Sequence, residues 1–193
     1  LFEMDKELNL LSESSKVENH IYHMPVALHS FYKDEYLVSL KDGSIFLFYQ
    51  NYNNHYPISK MENVDQSHIY LDHSVFIQPH LYLIDNYKKE GKDYSLISIL
   101  DVKYDTILIG QQVFRELNYE WSHTRILPFR TISIFKGVDD LEIYGQSDTL
   151  LTHVYLNYDL SEKTIQSINY PFHIEDIHKP IDGKTYLLEH RND

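Results

Sequence analysis

Twelve histidines are the side chains of this sequence with the widest chemical range. Two pairs have a spacing that invites a metal ion: His20 and His23 in HIYH, and His173 and His178 around Glu175 and Asp176 in HIEDIH. Imidazole and carboxylate are common zinc ligands. Residues 175–181 read as a strand, however, and strand residues five apart point to opposite faces. His173 and His178 are therefore not expected to share an ion unless the strand bends. The HExxH helix motif is absent. The expectation is no metal site and no cofactor, with the histidines at the surface and in turns.

Carboxylates are the second source of chemistry. Asp72, Asp85, Asp101, Glu142 and Glu175 fall where they could line a channel. Two carboxyls about 5–10 Å apart can divide acid and base work in glycoside cleavage. None of the five lies in a glycosidase motif, and acids at strand ends are more commonly turn formers. There is no cysteine nucleophile, no GxSxG elbow and no glycine-rich phosphate loop. A catalytic residue is therefore not expected. The lone tryptophan offers another kind of function. Residues 115–125 (RELNYEWSHTR) read as part of the longest connector between repeat units and carry Arg115, Tyr119, Trp121 and Arg125. Trp, Tyr and Arg dominate binding hot spots, so these four are the candidate protein-contact residues. The competing reading has Trp121 plugging the seam between two repeat units.

The elements that must position these residues form a repeat. Core runs recur at residues 35–40 (EYLVSL), 81–86 (LYLIDN), 141–145 (LEIYG) and 185–189 (TYLLE). Self-similarity at such a period signals a repeat architecture. Aligned by their turns, the units predict strands at 26–32, 35–40, 44–50 and 58–62, then 74–78, 81–86, 93–102 and 106–114, then 131–135, 141–145, 150–157 and 164–170. Residues 45–49 (IFLFY) are apolar without alternation, as in a strand covered on both faces. Asp42–Gly43 and Asp182–Gly183 are hairpin turn signals. Residues 2–13 resemble residues 156–167, so the chain is expected to open in the third strand of a unit and to close with the first two strands of another. Those halves could pair into one composite unit. Residues 114–121 are the best helix candidate, and a poor one.

Composition narrows the function. The chain has 193 residues and no Pro/Gly linker, which fits one domain over residues 1–193. The net charge of −12 argues against nucleic acid, because phosphate contacts need a basic patch. No apolar run approaches the ~20 residues that span a membrane as a helix. The absence of cysteine and of Asn-x-Ser/Thr acceptors fits an intracellular setting.

With its recurring four-strand unit, the chain resembles the WD40-like β-propellers. Tyr158–Asp159 loosely matches the Trp-Asp pair of that family, whereas its Gly-His pair is missing. The resemblance implies an all-β protein of four-stranded antiparallel blades, about three full blades plus one split between the termini. That could be a closed four-bladed ring or an arc of a larger propeller, and a β-sandwich is the alternative fold. It also implies a non-catalytic protein–protein interaction scaffold within a larger assembly. The alternative is a propeller-type carbohydrate-active enzyme with channel carboxylates. The binding face would carry residues 64–73 and 115–125, with 41–44, 87–92 and 146–149 beside them.

Overall fold

The computed structural model describes residues 2–4, 10–13, 25–32, 35–40, 45–49, 52–56, 71–109, 112–180 and 184–190. Among these the only regular elements are β-strands, without a helix. In chain order the strands are β1 (Phe2–Met4), β2 (Leu10–Glu13), β3 (Pro25–Tyr32), β4 (Glu35–Leu40), β5 (Ile45–Tyr49), β6 (Tyr52–Tyr56), β7 (Leu71–Ile77), β8 (His80–Lys89), β9 (Lys92–Ile109), β10 (Gln112–Leu127), β11 (Arg130–Lys136), β12 (Asp140–Ser147), β13 (Leu150–Asn157), β14 (Glu162–Asn169), β15 (His173–His178) and β16 (Tyr186–His190). They form three four-stranded antiparallel meanders, β3–β6, β7–β10 and β11–β14. Two-stranded sheets β1–β2 and β15–β16 stand at the ends, and the described residues place no ladder between them.

The repeat reading therefore locates most strands. Three departures concern the second and first units. Residues 103–105 do not turn: β9 runs through them, and the hairpin reverses after Ile109 instead. The polar Lys103 and Asp105 look like a turn in sequence, but each faces a ladder partner, Asn118 and Glu116. Residues 115–125 are consequently strand, neither connector nor helix. In the first unit the last strand is β6, and the strand expected at 58–62 lies outside the described residues. The turn signal at residues 41–44 and the loop at 64–70 also lie outside them.

Covered strands explain the unbroken apolar runs. In β8 the residues from Leu81 through Asp85 are all buried, with Leu81 and Leu83 on one face and Tyr82 and Ile84 on the other. The first face joins Leu37 of β4, Leu71, Leu100 and Val102 in one cluster. The second joins Ile97, Ile99, Phe129, Leu141, Ile143, Val154 and Leu156 in another. A third cluster packs Ile132, Tyr144 and Leu151 on Ile174 and Ile177 of β15. The second and third meanders are thus sandwiched between neighbours, and each fully buried aliphatic side chain contributes about 1.5–3 kcal/mol. The sheets meet along their first strands: β3 contacts β7, β7 contacts β11, and β11 contacts β15.

A polar tie recurs at these junctions. In each case a side chain late in the second strand of one sheet bonds the first strand of the next. Ser39 and Ser74 share a hydroxyl–hydroxyl bond of 2.5 Å. Asn86 accepts from Thr131 N–H and donates to Thr131 O, both at 2.9 Å. Gln146 accepts from Ile174 N–H at 3.1 Å and donates to Phe172 O at 2.7 Å. All three lie on the face turned to the next sheet, beyond Leu37, Ile84 and Tyr144 respectively. Buried backbone groups at the seams require partners, and Asn86 and Gln146 supply them, whereas the serines satisfy each other.

Turn chemistry completes the meanders. Glu90 and Gly91 both have positive φ, 53° and 78°, which makes the β8–β9 connection a primed two-residue turn. Gln78–Pro79 is a cis peptide in the turn before β8.

Candidate functional site

Strand β10 carries all four candidate contact residues, but it does not gather them. Strand β8 pairs with β9 only from His80↔Asp101 to Lys89↔Lys92. Beyond that, residues 103–109 of β9 pair only with residues 112–118 of β10. A two-stranded ribbon thus runs past the end of the four-stranded sheet by seven ladder pairs, about 20 Å at strand rise. Arg115 is on this ribbon, opposite Thr106. Tyr119, opposite Val102, stands at its root, and Trp121 faces Leu100 within the sheet. Tyr119 and Trp121 are half-buried and pack on the cluster that joins the first two meanders.

A bulge separates Arg125 from the other three. The register slips between Trp121 and Thr124, so one extra residue is inserted and the alternation inverts. Arg125 then pairs with Ile97 and faces the third meander. There it donates to Leu160 O at 2.9 Å and to Glu162 at 2.7 Å. Tyr119 and Trp121 lie on one face of the sheet, and Arg125 on the opposite one.

A similar slip alters the histidine argument. A bulge between Ile174 and Asp176 in β15 brings Ile174 and Ile177 to the same buried face. By the same inversion His173 and His178 share the other face, contrary to the five-residue parity. They remain four ladder steps apart, about 13 Å at strand rise, too far to hold one ion. His20 and His23 lie outside the described residues.

The carboxylates are distributed among separate partners. Asp101 meets His80 Nδ1 at 2.6 Å. Asp72 accepts the Asn86 N–H at 3.1 Å. Asp85 is buried in the second sheet, and Glu175 is exposed on β15. Only Glu142 sits in a dense polar cluster. Its side chain is buried on the face of β12 turned to β15. Tyr144 donates to its Oε1 at 2.8 Å, the Tyr155 hydroxyl approaches at 3.4 Å, and Lys179 donates to its Oε2. His153 lies stacked on Tyr144, ring centroids 4.1 Å apart, and tilted against Tyr155 at 4.5 Å. Its Nε2 is 2.8 Å from Glu142 Oε1, out of line for a hydrogen bond, and that buried nitrogen has no other partner.

Electrostatics fix the charge states. Burial pushes the Glu142 carboxyl up, but hydrogen bonds from Lys179 and Tyr144 and the lysine charge bring it below its ordinary value. Burial lowers His153 against the opposing pull of Glu142. Burial, reinforced by Glu142, pushes the Tyr144 hydroxyl up to about 12. A general acid needs a raised carboxyl, as in glycosidases, and Glu142 is shifted the other way. The cluster behaves as a clamp between β12, β13 and the segment after β15.

Of this cluster, sequence reasoning flagged only Glu142. The missing signal was cross-strand register. A two-residue turn at Asp148–Thr149 sets Tyr144 opposite His153 and Glu142 opposite Tyr155, so four polar or aromatic residues at alternate positions share one face. Lys179 arrives from the segment after β15, distant in sequence, and carries no local signal.

Compared with known proteins, the chain matches no family model, no curated protein and no solved structure. Among the described residues no helix is long and apolar enough to cross a membrane.

Proposed function

We propose that this chain is an arc of a β-propeller that works as a non-catalytic protein-interaction scaffold within a larger assembly, with the β9–β10 ribbon as its contact element. The ordered contact of β3, β7, β11 and β15 supports the propeller, because first strands meet around the axis of such a fold. The ribbon carries the functional reading. A two-stranded ribbon alone is marginally stable in water, so one that outruns its sheet is best accounted for by a covering partner. Arg115 lies on it, and Tyr119 and Trp121 root it in the first seam. The ionised, clamped state of Glu142 counts against the glycosidase alternative. We also place the chain inside the cell, on its cysteine-free composition.

The test is to replace residues 104–117 by an Asn-Gly turn and to place a photo-crosslinker at position 115 of the intact chain. The expected result is a folded deletion variant that loses a stoichiometric partner, and a crosslink from position 115 to that same partner. Partner capture undiminished by the deletion overturns the assignment, as does glycan turnover that Glu142→Gln abolishes.

A further inference from the structure

A pocket of about 400 Å3 opens where the turn after β8, the start of β11, the turn after β12 and the start of β15 converge. That volume suits a small molecule. Ile132 and Ile174 line it, both buried, and supply an apolar floor. Lys88, Asp93, Arg130, Asp148 and His173 supply charged and polar groups around the exposed rim.

The charges do not all cancel. Lys88 and Asp93 face each other in the β8–β9 ladder as an exposed ion pair, 3.6 Å apart. Arg130 and Asp148 form no ion pair with each other or with another described residue, although Arg130 shares the surroundings of His73 with Asp72 and Asp176. Opposite charges thus stand unpaired at one pocket mouth. Both are held by rigid backbone: Arg130 in the β11–β12 ladder opposite Gln146, Asp148 in a turn with φ 50°. Gln146 itself is immobilised at both ends of its amide by Phe172 and Ile174. The backbone of Arg130 and of Asp148 is therefore fixed, and a ligand has only the two exposed side chains left to order.

We propose that this pocket binds a small zwitterion of the α-amino-acid type. The ligand carboxylate meets the Arg130 guanidinium, whose planar fork suits a carboxylate. The ligand ammonium meets the Asp148 carboxylate, and a short apolar side chain covers Ile132 and Ile174. A ligand with a single negative charge would gain nothing from Asp148 and would be repelled by it. A ligand with a single positive charge would meet the same difficulty at Arg130. Only a ligand carrying both charges complements both groups.

Isothermal titration of the full chain with three probes tests this: L-leucine, isocaproate, which lacks the ammonium, and isoamylamine, which lacks the carboxylate. L-leucine is expected to bind about tenfold or more tightly than either single-charge probe, the scale of one charge-assisted contact. Arg130→Gln should remove that margin over isoamylamine, and Asp148→Asn the margin over isocaproate. Lys163→Gln, outside the pocket, should change nothing. Both pocket positions are exposed, and matched melting curves establish that the variants fold. A single-charge probe binding as tightly as L-leucine overturns the proposal. So does an affinity for L-leucine indifferent to both pocket substitutions, or no saturation up to about 10 mM, beyond the millimolar range of weak specific binding.

Discussion

The His153 imidazole lies 2.8 Å from the Glu142 carboxylate and flat against the Tyr144 ring, yet its Nε2 is not aligned to bond either. Burial favours the neutral imidazole, against the opposing pull of the ionised Glu142 carboxylate. Both groups are held below their ordinary values, so the unfolded chain takes up protons more readily than the folded one. Stability contributed by His153 is full above about pH 6.5 and falls as the pH drops toward its depressed folded value. The Glu142 contribution is full above about pH 4.5 and is lost further down. Wild type should therefore lose melting temperature between pH 6.5 and 5.5 faster than His153→Phe, which keeps the aromatic stack and cannot titrate. Parallel melting curves for the two proteins over that interval would contradict the assignment.

Lys179 answers Glu142 from the segment after β15, so it ties the C-terminal hairpin to the third meander. Lys179→Met leaves a buried carboxylate with only tyrosine hydroxyls as donors. The expected loss is about 1–3 kcal/mol in chemical denaturation, discounted because the lysine is partly exposed. The double variant Lys179→Met with Glu142→Leu should recover part of that loss, since no charge is then stranded. An unchanged midpoint for the single variant would show that the ion pair holds nothing together.

Gly145 is fixed by close approach rather than by dihedral. A Cβ there would overlap the Phe129 ring and lie 2.8 Å from the Arg130 carbonyl. Phe129 cannot yield freely, because it is buried within the cluster that joins the second and third meanders. Gly145→Ala should cost about 1–3 kcal/mol as overpacking. Phe129→Leu in that background should return some of it, whereas in wild type the same change should only destabilise. Equal losses in the two backgrounds would refute the steric account.

How much of this was legible follows from where each signal is stored. The LYLIDN and LEIYG runs marked β8 and β12 because strands covered on both faces leave a local apolar signature. The long hairpin was hidden because Lys103, Tyr104 and Asp105 imitate a turn, while the reversal comes just after Ile109. Bulges were hidden too. One inserted residue sends Arg125 away from Trp121 and brings His173 and His178 to one face, and parity arguments assume that no such residue exists. The Glu142–Lys179 clamp joins residues on different sheets, so only the tertiary arrangement reveals it.

Trp121 separates the two roles that sequence assigns it. It is half-buried, opposite Leu100, and packed on the cluster shared by Leu37, Leu71, Leu81 and Leu83. Truncation removes apolar contact from that seam, and the cavity relaxes in part because the site reaches solvent. Trp121→Ala should cost about 1–3 kcal/mol, below the range for a fully buried tryptophan. Arg115→Ala, on the ribbon beyond the sheet, should leave stability within about 0.5 kcal/mol. If the ribbon is the contact element, Arg115→Ala weakens partner capture at constant melting temperature, whereas Trp121→Ala lowers both. A Trp121→Ala protein that melts like wild type but fails to bind would move the anchor from the ribbon to the tryptophan itself.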